Sequence, residues 1–206
     1  IDKINPILPL HVHYVFGYTD LLLKCFEDKL KLYIVVLRNP FFLIKTWIEG
    51  NWVNQNCKTN RNVGLCFDYF GKEISWYTKE YAEEYVEAND YEKSVLTVYH
   101  LYTRIFSMYD GLPGLEREKM MFIFFEDFAT DPNQYIDKIC KTLSTERSDN
   151  FEAIMQKLSI PRNLEKNNFI SIDELLEEYK QYFSENILFK LRELDKGFLS
   201  FYKQVG

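Results

Sequence analysis

Two short apolar segments set the strongest limits on how this chain can fold. Residues 31–37 (KLYIVVL) and 119–125 (KMMFIFF) are continuous runs of large apolar side chains, and the first is rich in β-branched residues. Such runs are typical of strands that are buried on both faces of a parallel sheet. Because helix-like segments follow each run, the sequence predicts a helix-rich α/β fold with a small parallel β-sheet flanked by helices.

Helix signals occupy most of the remaining chain, in the form of helical spacing, capping residues and prolines at first helical positions. Helices are predicted over 18–28, 40–54 and 78–108 (with a break near Asn89), and from Asp131, Ser171 and Ser184. The polar segment 55–71 is predicted to be a loop, and the alternating segment 10–15 (LHVHYV) a short strand.

Charge, composition and cysteine spacing exclude several function classes. The net charge of -6 argues against general nucleic-acid binding, and no apolar run is long enough to span a bilayer. Neither a signal peptide nor a zinc or CxxC cysteine pattern is visible, so a cytoplasmic location with free thiols is favoured. Cys57 and Cys66 could instead close a small loop in an oxidising compartment.

Arg38 is the residue that the predicted topology places where ligands bind. It follows the first apolar run directly, and ligands of open α/β sheets bind beyond the carboxyl ends of strands. Its guanidinium can bind phosphate oxygens, the helix that begins at Pro40 offers backbone N–H groups, and Thr46 offers a hydroxyl. The alternative is that Arg38 only packs at the strand end and Thr46 bonds back to its own helix.

Two segments resemble the PAPS-dependent sulfotransferases. Arg38-Asn39-Pro40, with a hydroxyl residue eight positions after the arginine, is similar to their 3′-phosphate-binding segment. Residues 122–132 (FIFFEDFATDP) resemble a second family segment, in which Glu126 and Asp127 would be structural. The resemblance implies a P-loop-NTPase-like sulfotransferase fold, with PAPS as sulfate donor and no metal. It assigns Arg38 and Thr46 to the 3′-phosphate. At the position of Thr46 the family usually has serine.

The family also places a general base on a strand before this arginine. His13 and His11 stand 25 and 27 residues before Arg38, on what alternation predicts to be one strand face. His13 is preferred because its spacing is closer to that of the family, and His11 is the second candidate. His100 is interpreted as structural or acceptor-side.

The phosphosulfate loop of the family is not recognisable in this sequence. None of the 8 glycines stands in such a context, so the loop is expected upstream of Ile1, with this chain N-terminally truncated, and the alternative is that the protein has lost the loop. The turn at Arg162 is the segment most similar to the family's basic loop over the adenosine, and its alternative is a solvated interhelix loop. Residues 1–206 are read as one domain, with 47–115 a largely helical acceptor-side insert and 145–206 a helical tail.

These features predict transfer of a sulfuryl group from PAPS to a hydroxyl or amine of a small-molecule or carbohydrate acceptor. Two alternatives belong to other classes. One is a P-loop kinase-like phosphotransferase, which would need an upstream GK[ST] loop and an acidic magnesium ligand. The other is a degenerate, non-catalytic homologue that acts as a helical interaction module.

Overall fold

The two apolar runs form a parallel pair of strands, as predicted. A computed structural model describes Ile7, Pro9 and residues 19–26, 29–55, 66–162 and 170–206. Within it, β1 (Tyr33–Leu37) pairs in parallel with β4 (Met120–Phe124), from Tyr33 opposite Met120 to Leu37 opposite Phe124. The chain is therefore a helix-rich α/β protein with a small parallel sheet. The predicted strand over 10–15, with His11 and His13, lies outside the described residues.

Helices surround this pair of strands. In chain order they are α1 (Thr19–Phe26), α2 (Pro40–Glu49), α3 (Trp52–Gln55), α4 (Ala82–Glu87), α5 (Asp90–Gly111), α6 (Gly114–Glu118), α7 (Phe125–Thr130), α8 (Asn133–Leu143), α9 (Phe151–Lys157), α10 (Ile172–Tyr179) and α11 (Glu185–Val205). Short 3₁₀ segments, Trp76–Tyr81 and Lys180–Tyr182, precede α4 and α11. None of the described helices has both the length and the apolar character needed to cross a membrane.

Ser171 caps a helix where the sequence predicts it, whereas the predicted cap at Asp131 is wrong, because α8 begins at Asn133 with Pro132 in the cap position. Asn89 caps α5 and exchanges side-chain and backbone hydrogen bonds with Glu92, and Ser171 does the same with Glu174 at α10. Each pair satisfies backbone N–H groups that have no partner inside the helix. The predicted break near Asn89 is confirmed, because it separates α4 from α5.

The predicted helix over 40–54 is wrong at its end. α2 stops at Glu49, and Asn51 has a left-handed backbone (φ 51°) before α3 begins at Trp52. The Trp52 indole folds back over Gly50 so closely that a Cβ there would lie 2.1 Å from Nε1. A residue with a side chain at position 50 would therefore displace this indole.

The predicted loop over 55–71 is also wrong in part. β2 (Cys66–Tyr69) and β3 (Lys72–Ser75) form an antiparallel hairpin, whereas residues 56–65 lie outside the described part. Phe70 and Gly71 form its turn with φ values of 50° and 79°, a two-residue turn whose backbone matches the twist of paired strands. Strands of four residues carry too little periodicity to be predicted from sequence.

β1 is buried on one face only, which corrects the prediction that both faces are covered. Val35 and Leu37 lie in the main core, while Ile34 and Val36 on the opposite face are 40% and 51% exposed. The main core joins that covered face to α2, α5 and α11. The last helix therefore contributes to the core.

The burial pattern of α11 generates a stability prediction. Leu194 is fully buried in the main core, so Leu194→Ala should lower the free energy of unfolding by about 2–5 kcal/mol. Leu199 lies on the same helix and is 48% exposed, so Leu199→Ala should change it by less than about 0.5 kcal/mol. Urea unfolding measures both variants, and equal losses would show that α11 is not packed on the core.

Candidate functional site

The candidate site lies at the carboxyl edge of the parallel strands. β1 and β4 end in register, so Arg38 and Phe125 leave the sheet at the same edge. Arg38 leads into α2 and Phe125 begins α7 directly. The segment after the second strand, which the sequence predicted to be only a turn, forms helix α7. Ligands bind beyond this edge in open α/β sheets.

Glu126 connects the two strand ends. Its Oε1 accepts a hydrogen bond of 3.0 Å from the buried backbone N–H of Asn39 and lies 3.8 Å from Arg38 Nε. Burial raises the pKa of the Glu126 carboxyl, although the Asn39 N–H and the Arg38 charge oppose that rise. This bridge confirms the structural role expected for Glu126.

Asn39 caps α2, and Pro40 occupies the first position of that helix. The Asn39 side-chain oxygen accepts a hydrogen bond of 2.8 Å from the Phe42 N–H. A proline at the first position is preorganised for a helix, since its fixed φ fits and its missing N–H would have no helical partner. The helix start next to Arg38 is therefore formed by the local sequence.

The Arg38 guanidinium lies among aromatic rings and is partly exposed. Its Cζ is 4.0 Å from the centroid of the Phe42 ring and 4.8 Å from that of Phe125, which are cation–π distances. The side chain keeps 31% of its surface exposed. Burial lowers the pKa of Arg38, and the charge of Arg162 lowers it further, whereas Glu126 opposes the shift. Arg38 is thus a guanidinium held at the edge of solvent.

Arg162 is bound to the end of α7. Its charge lowers the pKa of Arg38, and this is the smallest of the influences on that pKa. Its backbone N–H donates a 2.6 Å hydrogen bond to the Ala129 carbonyl at the end of α7, and its Nη2 donates to the Leu158 carbonyl at 3.2 Å. The basic turn is therefore tied to the end of α7, although residues 163–169 lie outside the described part.

Thr46 makes the contact that the alternative interpretation expected. Its Oγ1 donates a hydrogen bond of 2.8 Å to the Phe42 carbonyl, one turn earlier in α2. To donate to a phosphate, this hydroxyl must turn away from the Phe42 carbonyl. Its assignment to the 3′-phosphate stays a prediction.

Tyr102 is a residue of the site that sequence reasoning missed. Its buried hydroxyl donates a 2.6 Å hydrogen bond to the Arg38 carbonyl and accepts one of 3.1 Å from the Arg38 N–H. Burial raises the pKa of this phenol. One side chain of α5 thereby satisfies both backbone groups of Arg38. Nothing distinguishes Tyr102 from the other tyrosines of 47–115 in the sequence.

Asp127 is structural, as predicted. Its Oδ2 accepts hydrogen bonds from the Tyr202 hydroxyl at 2.8 Å and the Tyr135 hydroxyl at 3.3 Å. The bond to Asp127 raises the pKa of Tyr202, and burial, with help from Asp127, raises that of Tyr135 to about 12. Asp127 therefore ties α7 to both α8 and α11.

His100 belongs to a separate polar cluster between α4, α5 and α11. Its ring stacks on Tyr81 with centroids 3.8 Å apart, and its Nε2 lies 3.9 Å from Glu84 Oε2. Burial and the Lys190 charge lower its pKa to about 4, so the imidazole is neutral at pH 7. These contacts support the structural interpretation of His100. The base predictions for His13 and His11 fall outside the described residues.

Metal ligands and cysteines add two further observations. Among the described residues, no group of three or more His, Cys, Asp or Glu side chains is arranged to hold a metal ion. Cys66 is disulfide-bonded, whereas Cys25 and Cys140 are free. The expectation of free thiols is therefore wrong for Cys66.

Comparison with protein-family models and with curated proteins finds no match. Among solved structures, a sulfotransferase domain from the curacin biosynthetic pathway matches with a TM-score of 0.40 and 13% identity. The match covers 80% of this chain and 53% of that one, so this chain spans about half the length of the matched structure. A likeness of this size assigns no activity by itself.

The contacts of the Tyr102 hydroxyl generate a testable prediction. Tyr102→Phe keeps the ring but leaves the Arg38 N–H and carbonyl without this partner, so it should cost about 1–3 kcal/mol of unfolding free energy.

Tyr91→Phe is the matched control, because it keeps the ring that stacks on Tyr182 at 4.1 Å and should change stability by less than about 0.5 kcal/mol. Chemical denaturation measures both variants. A Tyr102→Phe protein as stable as the wild type would contradict the anchoring role.

Proposed function

We propose that this protein is a sulfotransferase that moves a sulfuryl group from PAPS to a hydroxyl or amine of a small-molecule or carbohydrate acceptor. The observation that carries the proposal is the position of Arg38, which follows β1 at the carboxyl edge of the parallel strands and directly precedes the Asn39-capped start of α2. A guanidinium at such an edge, beside the N–H groups of a helix start, is suited to bind an anion. The Arg38-Asn39-Pro40 segment and its resemblance to the family's 3′-phosphate segment support the same assignment.

The 3′-phosphate of the donor would bind beside Arg38. The guanidinium can donate two parallel N–H bonds to phosphate oxygens, and the start of α2 adds backbone N–H groups and the positive end of its dipole. Thr46, one turn after Phe42, would donate its hydroxyl to the same phosphate. Arg162 would contribute positive charge near the adenosine. Glu126 would position Arg38 without touching the ligand.

The transfer step requires an in-line attack on sulfur. The acceptor oxygen or nitrogen forms a bond to sulfur while the bond from sulfur to the donor phosphate oxygen breaks. The electron pair of the broken bond leaves with adenosine 3′,5′-bisphosphate. His13 would accept the proton that the acceptor loses, and His11 is the alternative base. A neutral imidazole near pH 7 is suited to this role.

The donor site is tested by thermal shift of the full-length protein with adenosine 3′,5′-bisphosphate. At a concentration 100 times its Kd, a ligand stabilises the folded state by about 2.7 kcal/mol, which corresponds to roughly 5–10 °C for a chain of this size. Arg38→Ala should remove most of that shift. Arg192 lies exposed on α11, so Arg192→Ala removes an equal charge and should preserve it. A wild type without any shift would refute the donor site and favour a non-catalytic module.

The base is tested by turnover with PAPS and an accepted substrate. His13→Ala should reduce turnover at least about 100-fold, because the acceptor then lacks its proton acceptor. Binding of adenosine 3′,5′-bisphosphate should not change. His11→Ala is the matched control on the same predicted strand face. Full turnover in His13→Ala would transfer the role to His11 or to another group.

A further inference from the structure

A cavity of about 350 Å³ opens between β1, α2, α3 and α5. Its volume falls within the range of small-molecule sites, which are lined mainly by apolar side chains. Most of its described lining is apolar, with Val36 from β1, Leu43 from α2, and Leu101 and Ile105 from α5. The proposed transfer reaction assigns no ligand to these side chains.

Two tryptophans form one wall of this cavity. The rings of Trp47 and Trp52 are stacked, with centroids 6.5 Å apart and an interplanar angle of 29°. Trp47 is buried, whereas Trp52 is partly exposed. Large, rigid indole faces favour flat aromatic ligands, because ring stacking adds to the gain from burying apolar area.

The position of that wall depends on Gly50. Because a Cβ at this position would lie 2.1 Å from Trp52 Nε1, the indole can occupy its place only when residue 50 has no side chain. Gly50 has an ordinary helical backbone (φ -79°), so the close approach of the indole, and not a special turn, requires glycine. The wall is therefore formed by the fold before any ligand arrives.

The described lining includes two side-chain hydroxyl groups, and both are engaged within the protein. The Tyr102 hydroxyl donates to the Arg38 carbonyl at 2.6 Å and accepts from the Arg38 N–H at 3.1 Å. The Thr46 hydroxyl donates to the Phe42 carbonyl at 2.8 Å. A ligand in the cavity therefore meets hydroxyl groups whose protons already have acceptors.

The charge of Arg38 is engaged with residues outside this lining. Its guanidinium contacts the rings of Phe42 and Phe125, and its Nε lies 3.8 Å from Glu126 Oε1. None of these three partners belongs to the described lining. A charged ligand loses free energy when it leaves water, unless a counter-charge or hydrogen bonds compensate. Since the charge of Arg38 is assigned above to the donor phosphate, the cavity favours a ligand without charge.

We propose that this cavity binds an uncharged, planar aromatic molecule, with its ring against the indoles of Trp47 and Trp52. Burial of apolar area and ring stacking supply the affinity. Empty apolar cavities in proteins stay dry and accept molecules such as benzene. The inference goes beyond the transfer reaction and does not depend on it, because it uses neither Arg38 nor Thr46 as a ligand contact.

The probe is 2-naphthalenemethanol, and calorimetric titration of the full-length protein is the measurement. We expect saturable binding of one molecule per chain. Naphthalene-2-sulfonate carries a charge on the same ring and should bind at least about tenfold more weakly. Decahydronaphthalene-2-methanol is saturated and cannot stack, so it should bind at least about threefold more weakly. Absence of binding by the aromatic alcohol, or equal affinity for the sulfonate, would overturn the proposal.

Two glycine variants test the wall while both tryptophans remain. Gly50→Ala places a Cβ where the Trp52 indole lies, so the indole must move and binding should weaken about tenfold or more. Gly111→Ala is the matched control, because a Cβ at that helical position would have no neighbour within 4 Å. It should leave the affinity within about twofold. Circular dichroism confirms that each variant is folded.

Two tryptophan variants test the same wall independently. Trp52→Leu should weaken binding about tenfold or more, while Trp76→Leu, which alters a tryptophan outside the described lining, should leave it within about twofold. Undiminished binding in both Gly50→Ala and Trp52→Leu would place the probe elsewhere and overturn the proposal.

A last titration separates this cavity from the donor site. With adenosine 3′,5′-bisphosphate at saturation, the affinity for 2-naphthalenemethanol should stay within about threefold, because the two ligands use different contacts. Mutual exclusion would assign the cavity to the donor site and overturn the proposal. A protein that binds the bisphosphate but not the alcohol keeps the donor site and loses the cavity. A protein that binds the alcohol through Trp52 but shows no response to the bisphosphate keeps the cavity and loses the proposed reaction.

Discussion

A single buried carboxylate joins the ends of the two parallel strands at the carboxyl edge of the sheet. Glu126, the second residue after β4, accepts the backbone N–H of Asn39 and lies beside Arg38, so it joins the ends of both strands. Removing a carboxylate from water is costly unless a counter-charge and hydrogen-bond donors compensate. The Asn39 N–H and the Arg38 guanidinium provide that compensation. The direction of α2 and the position of Arg38 both depend on this bridge.

Other contacts reinforce the same edge from distant parts of the chain. Tyr102 binds both backbone groups of Arg38 from α5, and Tyr202 of α11 binds Asp127 at the start of α7. A strand end would otherwise leave backbone N–H and carbonyl groups without partners in a partly buried place. The helices that cover the sheet thus also supply the hydrogen bonds that its carboxyl edge needs.

The predictions that succeeded rest on local physics. The apolar runs became β1 and β4, Pro40 begins α2, and Ser171 caps α10, because propensity and capping act between residues close in sequence. The hairpin Cys66–Ser75 was missed because its strands are short. The burial of β1 was overestimated, because an apolar run shows that a strand can be covered but not whether another element covers its second face.

The features of the candidate site also divide into those that follow from neighbouring residues and those that need tertiary packing. Neighbouring residues in the sequence are enough to predict that Arg38 stands where a strand ends and a helix begins, and that Glu126 and Asp127 follow the second strand. Packing of the whole chain was needed to bring Tyr102 to the backbone of Arg38, and to stack Trp47 and Trp52 in the wall of a cavity that Arg38 also lines. The reason is physical. Strand and helix ends follow from neighbouring residues, whereas contacts across 64 or 75 positions exist only after the core has packed.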